Sequence, residues 1–269
     1  MLTTTTHRTA IKTPTNPGVT TQSYPKLAFC SAITPATPEH YEKLKEAGID
    51  TVSVCLHLSG FTHYKYAMIH TKLAREAEMT THAYMVTDLY SPIDDVIAFT
   101  RRFNQLGYTP TTKITIWINS DQKVSDREEK IRQTIDLLSN YHNRECIDIA
   151  FYKRDIDAGF YDFSKLPKMI NLTIINCGAI NAGVPVAGTW VYTTDFANIV
   201  QTMAYDYYGF YTDNSGYQLS LVDTDYVVQP GDNWYSISRR HGIPMVDLLA
   251  LNRANPDDDI YEGQIVRIA

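Results

Sequence analysis

The chain has 269 residues and a mass of 30.5 kDa, enough for one large domain, or a medium domain with a small module. Hydrophobic residues make up 44% and charged residues 20%, which supplies a buried core and excludes a chain disordered throughout. The net charge of −6 excludes the basic footprint of a phosphate-tracking nucleic-acid binder, and no apolar run nears the roughly 20 residues that insert into a membrane.

Residues 1–25 hold nine Thr, three Pro and very few large apolar side chains. Such a segment has too little apolar surface to offset its ordering entropy. It is expected to be an extended arm, either a loose tail or a strap ordered on neighbouring structural proteins. Met1 to Pro17 lacks the apolar stretch of a signal peptide, so export by that route is not expected.

Residues 26–221 alternate strand-like and helix-like patterns. Leu27–Ala32 is a short apolar run. Thr37 and Pro38 then give a cap and a first helical residue, and Gly48 closes the helix. Thr51–Leu56 reads as strand, Tyr64–Glu78 as helix and Thr81–Val86 as strand. Ser91-Pro92 opens a helix with Ile93, Val96, Ile97, Phe103 and Leu106 on one stripe and Gly107 as its stop. Ile114–Ile118 is a strand, and Ser125–Glu128 has the form of a capping box before Ile131, Ile135 and Leu138. Ile147–Phe151, Leu172–Cys177 and Thr189–Tyr192 continue the strands. This alternation predicts a parallel sheet covered by helices. Few helices separate the later strands, which favours an irregular α/β barrel over a regular eight-fold one.

Residues 222–269 form a separate module with the order βααβ. Tyr226–Val228 is its first strand, Trp234–His241 and Met245–Asn252 are two short helices, and Ile265–Ile268 is the closing strand. Asp232 or Asn233 caps the first helix, Gly242 ends it in a left-handed cap, and Gly263 turns the chain into the last strand.

Isolated chemistry is sparse. Cys30, Cys55, Cys146 and Cys177 lie in or beside strands at spacings unlike a metal site and read as buried thiols. Asp148, Asp155 and Asp157 read as a solvated acidic loop, and Asp94-Asp95 as first-turn carboxylates suited to the helix dipole. His57, His63, His70 and His82 lack ligand spacing. No phosphate loop, Gly-x-Ser-x-Gly or Cys-x-x-Cys is present, and no metal or cofactor is expected. The chain has 19 Tyr, many between Tyr205 and Tyr217, a belt suited either to sugar stacking or to an interface.

Tyr226-x-Val228-x-Pro230-Gly231-Asp232, Ile237-x-x-x-His241-Gly242-Ile243, Leu248-x-x-Leu251-Asn252 and Ile260-Tyr261-x-Gly263-Gln264 together resemble a LysM domain. The resemblance implies a groove for N-acetylglucosamine-containing glycans such as peptidoglycan. One wall would be Gly231, Asp232, Asn233 and Trp234, the other Asn255, Pro256 and Ile260. The Trp234 indole either stacks on a sugar or fills the small core. An adaptor role without sugar is the other reading of such modules.

Ala47–Val54, His82-Ala83-Tyr84, Asp162–Pro167 and Trp190-Val191-Tyr192-Thr193 resemble segments of glycoside hydrolase family 25, the lysozyme-type muramidases, whose fold is an irregular barrel. Glycoside hydrolysis uses paired carboxylates flanking the scissile bond. The resemblance implies an Asp at the end of the first strand, where this chain has Phe29. It implies Lys-Ala-Thr-Glu-Gly after the second strand, where the chain reads Cys55-Leu56-His57-Leu58-Ser59. It implies Tyr-His-Phe where Tyr84-Met85-Val86 stands, and Asp-x-Glu where Asn119-Ser120-Asp121 stands. Asp121 and Asp206 are the residual acids. The expectation is a barrel with no catalytic residues, in a peptidoglycan-binding or structural part of a phage-like tail tip or baseplate, located in the virion or in the host cytoplasm before assembly. An active muramidase using Asp121 and Asp206, and a pure assembly adaptor, are the alternatives.

Overall fold

The computed structural model describes residues 24–61, 64–121, 123–167, 170–184, 187–207, 209–212, 225–241, 243 and 245–268. Residues 1–23, and so nearly all of the expected arm, lie outside them. Contacts divide the chain into two compact units, a barrel and a small C-terminal module.

The barrel has eight strands: β1 (Lys26–Cys30), β2 (Thr51–Leu58), β3 (Thr80–Thr87), β4 (Ile114–Ile118), β5 (Ile147–Tyr152), β6 (Asn171–Ile175), β7 (Thr189–Phe196) and β8 (Ile199–Asp206). They close in sequence order. β1 to β7 pair in parallel, and β8 runs antiparallel to both β7 and β1. The connections explain this. Parallel neighbours need a long crossover, which α1 (Pro38–Glu46), α2 (Tyr66–Glu76), α3 (Pro92–Gln105) and α4 (Arg127–Ser139) supply between the first five strands, and the short α5 (Lys153–Asp157) follows β5. Between β7 and β8 the chain has only Ala197 and Asn198, at φ 51° and 62°. A two-residue turn with both φ positive makes a hairpin, so β8 must reverse. The barrel is therefore closed, eight-stranded and irregular. β8 is the strand absent from the sequence reading.

Each helix buries one stripe on the barrel. α1 buries Tyr41 and Leu44, α2 Ala67, Leu73 and Ala74, and α4 Ile131, Ile135 and Leu138. Three local expectations are corrected. On α3 the buried stripe is Val96, Phe99, Thr100 and Phe103, while Ile93 and Ile97 are about half exposed. The capping box at Ser125–Glu128 does not form. Asp126 sits left-handed at the cap without a side-chain bond, and Glu128 instead accepts the Asp162 N–H at 2.7 Å. Cys177 is exposed, whereas Cys30, Cys55 and Cys146 are buried.

The small module pairs β9 (Asp225–Val227) with β10 (Ile265–Arg267) antiparallel, with α6 (Trp234–His241) and α7 (Met245–Asn252) between them. Val228, Trp234, Ile237, Leu248, Leu249, Val266 and Ile268 form its core. Asn233 caps α6 reciprocally with Ser236: Asn233 Oδ1 accepts the Ser236 N–H, and Ser236 Oγ accepts the Asn233 N–H. The Asn252 side chain bridges Leu248 and both backbone groups of Arg267, tying α7 to β10. Gly242, expected to end α6, lies outside the described residues.

Candidate functional site

The barrel mouth is the end where β1 to β7 finish, which is where barrels of this kind carry their chemistry. The inward side chains of β1, β3 and β4 meet there as aromatics. Phe29 is 1% exposed and packs edge-on against Tyr84, Trp117 and Tyr211, with ring centroids 5.5, 5.6 and 6.1 Å away. Trp117 also meets Tyr152 of β5 at 6.1 Å. An apolar floor thus fills the layer in which the family resemblance implies a carboxylate.

Asp121 lies just beyond β4, exposed at the rim. The Lys123 N–H (2.6 Å) and the Tyr90 hydroxyl (3.1 Å) both donate to it. The Lys123 N–H above all holds its carboxyl below the usual range. It is an acceptor, poorly suited to donating a proton.

Asp206 is at the other end of the barrel. Its neighbour Tyr205 pairs with Lys26, the first residue of β1. The antiparallel course of β8 carries its C-terminus away from the mouth, so Asp121 and Asp206 cannot flank one bond. The mouth end of β8, Ile199–Thr202, carries no acid. Asp206 is fully buried and accepts the N–H groups of Phe210, Tyr211 and Thr212 at 2.8–3.0 Å.

Those bonds fold residues 209–212 into the barrel as a plug. The Tyr211 hydroxyl donates to Asp148 and accepts from Thr115, and its carbonyl accepts from His82 Nε2 at 2.8 Å. Since Tyr211 touches side chains of β1, β3, β4 and β5, it sits inside the barrel. Asp148 also receives Asn171 Nδ2 at 2.9 Å and Thr173 Oγ1 at 2.8 Å. Asp148 is therefore no part of a solvated loop: it is 0% exposed. Burial pushes its carboxyl up to about 7, against the pull of the three donors, and burial raises Asp206 as well. The same burial lowers His82 to about 4, consistent with a neutral imidazole whose Nδ1 accepts the Lys113 N–H.

A further acid is accounted for on the outer wall. Asp95 is 5% exposed and accepts from His57 Nε2, Ser59 Oγ and Thr87 Oγ1 at 2.6–2.7 Å. Despite its burial, these bonds hold its carboxyl low. It fastens α3 to β2 and β3 rather than merely facing the helix dipole. Among the described residues, no three His, Cys, Asp or Glu stand close enough to hold a metal, and no helix is long and apolar enough to cross a membrane.

In the small module a cleft of about 450 Å³ is lined by Asp232, Asn233, Trp234, Tyr235, Met245, Pro256, Asp257, Asp258, Asp259 and Ile260. Five of the seven expected groove residues line it. Gly231 and Asn255 do not. Gly231 makes the turn before it at φ 80°, and Asn255 donates its N–H to Asp258. Trp234 is 4% exposed, and its indole N–H donates to the Asp258 carbonyl at 2.8 Å. It fills the core and is not a free stacking face. The neighbouring Tyr235 is 61% exposed. Against a burial cost, Arg240, the Tyr226 hydroxyl and the Gln229 N–H hold Asp232 at about 2. Tyr235, Met245 and Asp257–Asp259 were missed in the sequence. The helical neighbour of a core Trp and a run after Asn255-Pro256 were the available signals.

The LysM domain family matches residues 226–269, nearly the whole of this module. Residues 226–269 are a LysM domain. The barrel is similar in fold to the catalytic domain of endolysin ply40 from bacteriophage P40 of Listeria monocytogenes, with a TM-score of 0.57 and 14% identity over 69% of this chain and 94% of that one. It is similar to GHIP, a glycosyl hydrolase 25 of Streptococcus pneumoniae, with a TM-score of 0.55 and 13% identity over 67% and 86%. The modular autolysin LytC of Streptococcus pneumoniae, solved with a synthetic peptidoglycan ligand, gives 0.55 and 14% over 69% and 47%. The barrel thus has the fold of the family 25 lysozymes, joined to a LysM domain. No curated protein matches the chain by sequence.

Proposed function

We propose that this protein holds bacterial wall glycan through its LysM cleft without cleaving it, as a structural part of a phage or phage-like tail tip or baseplate. The observation that carries the non-catalytic part is the aromatic floor. Phe29, Tyr84 and Trp117 occupy the mouth, and the two residual acids stand at opposite ends of the barrel. Hydrolysis of a glycosidic bond needs two carboxyl groups within about 5–10 Å across the bond, one of them protonated. Asp121 is held ionised at the rim, and Asp206 is sealed behind the plug.

The binding part rests on the LysM match and its cleft, in which Asp232, Asn233, Pro256 and Ile260 stand with the exposed Tyr235. The tail-tip part rests on the Thr-rich residues 1–25, suited to lacing onto neighbouring chains, and on the likeness of the barrel to a phage endolysin domain. The test is co-sedimentation of the purified protein with Gram-positive sacculi at low and high salt, read together with reducing-end release. Salt-resistant binding without release supports the reading. Release overturns it, and absence of binding turns it into an assembly adaptor.

A further inference from the structure

We propose that Arg240, which stands outside the LysM cleft, is a positioning residue for glycan binding: its guanidinium locks Asp232, and with it the turn that makes one wall of the cleft. The proposal rests on the glycan-binding reading above and adds what holds that wall in shape.

Asp232 lines the cleft, and the family resemblance implies it as a sugar contact. Its carboxylate is already occupied. The side chain is 2% exposed. Oδ1 accepts from Arg240 Nη2 at 2.7 Å and from Ser236 Oγ at 3.3 Å. Oδ2 accepts the Tyr226 hydroxyl at 2.6 Å, the Gln229 N–H at 2.8 Å and Arg240 Nη1 at 3.0 Å. Arg240 also donates to the Tyr226 hydroxyl. Neither Arg240 nor Tyr226 lines the cleft.

Arg240 therefore forks both oxygens of one carboxylate, a geometry that a planar guanidinium makes and a point charge does not. Asp232 in turn joins β9 through Tyr226, α6 through Ser236 and Arg240, and the turn through Gln229. Its own N–H closes that turn on the Gln229 carbonyl at 3.0 Å. Asn233 and Trp234, the next two residues, complete the wall. A displaced Asp232 carboxylate displaces the lining with it. With Arg240 in place the carboxyl is held at about 2, although burial alone would raise it. The other titrating groups at this brace are Tyr226, pushed up to about 12 chiefly by burial, and His241, lowered chiefly by burial. Their rings meet at 4.7 Å.

The test titrates the full-length protein calorimetrically with an N-acetylglucosamine hexamer, a neutral ligand, at about pH 7 and about pH 4. Arg240→Gln is expected to weaken binding by roughly threefold to tenfold at the higher pH. The gap widens at the lower pH, where Asp232 without its guanidinium takes up a proton. In an Asp232→Asn background the same substitution is expected to change little at either pH, which separates Asp232 from His241 and from the other cleft carboxylates. Thermal denaturation checks that each variant is folded at the assay temperature. If Arg240→Gln is not, Arg240→Lys, which keeps the charge and loses the fork, carries the same test. A folded Arg240 variant that binds as tightly as the natural protein at both pH values overturns the proposal and leaves Arg240 a structural brace alone. An equal loss in the Asp232→Asn background overturns it as well. Failure of the natural protein to bind the hexamer overturns the glycan reading together with the proposal.

Discussion

Tyr211 donates its hydroxyl proton to Asp148 deep in the barrel, joining a segment that follows the last strand to the fifth strand. The backbone N–H of Tyr211 is held by Asp206, and its ring packs against Phe29. One residue, through its backbone N–H and its side chain, thus links the two buried acids to the aromatic floor of the mouth.

Tyr211→Phe keeps the ring and removes the hydroxyl. Asp148 then loses one of its three donors, and Thr115 loses its acceptor. The expected loss is about 1–3 kcal/mol, read from urea unfolding. A change within error would mean that the plug is held by packing alone.

Asp148 also predicts a pH dependence. Its folded-state value of about 7 stands above the unfolded value of roughly 3.9, so the native state binds the extra proton. That contribution is fully present below about pH 4 and is lost as pH rises toward 7. Asp148→Asn carries no such titration. The stability of the variant relative to the natural protein should therefore rise by roughly 2–4 kcal/mol between about pH 4 and 8. A difference that stays flat across this range contradicts the assignment.

Gly188 leaves room for Asn171. A Cβ at Gly188 would stand 1.9 Å from Asn171 Oδ1, and Asn171 bonds both Asp148 and Thr189. Gly188→Ala should cost about 1–3 kcal/mol by displacing that amide. A variant as stable as the natural protein would show that Asn171 can move freely.

Trp234 and Tyr235 are neighbours with opposite expected behaviour. Trp234→Ala empties the LysM core and should cost about 3–5 kcal/mol in the unfolding of that domain. Tyr235→Ala should leave the melting temperature unchanged and weaken binding of an N-acetylglucosamine hexamer by roughly threefold to tenfold. Calorimetry and thermal denaturation on both variants separate the two roles.

The LysM domain was legible because its signals are local. Asn233 and Ser236, Asn252, and the turn at Gly263 each act within a few residues of their partners or on one adjacent strand. In the barrel the apolar runs of β1 to β7 were legible for the same reason. Strand direction was not. The reversal of β8 depends on Ala197-Asn198, a turn without the Gly that marks most such hairpins, and it sends Asp206 to the opposite end. Asp148 was misplaced because β5 turns Ile149 and Phe151 toward the helices and its polar residue inward. Its partners Tyr211, Asn171 and Thr173 are 23 to 63 residues away in sequence, and only closure of the barrel brings them together.

The most direct test of the central claim is a time course of reducing-end release from Gram-positive sacculi bound by the full-length protein, beside an active family 25 muramidase as control. The account predicts that the protein stays on the sacculi while release remains at the level of buffer. Release above buffer that disappears in Asp121→Asn would contradict it and make this protein a working muramidase.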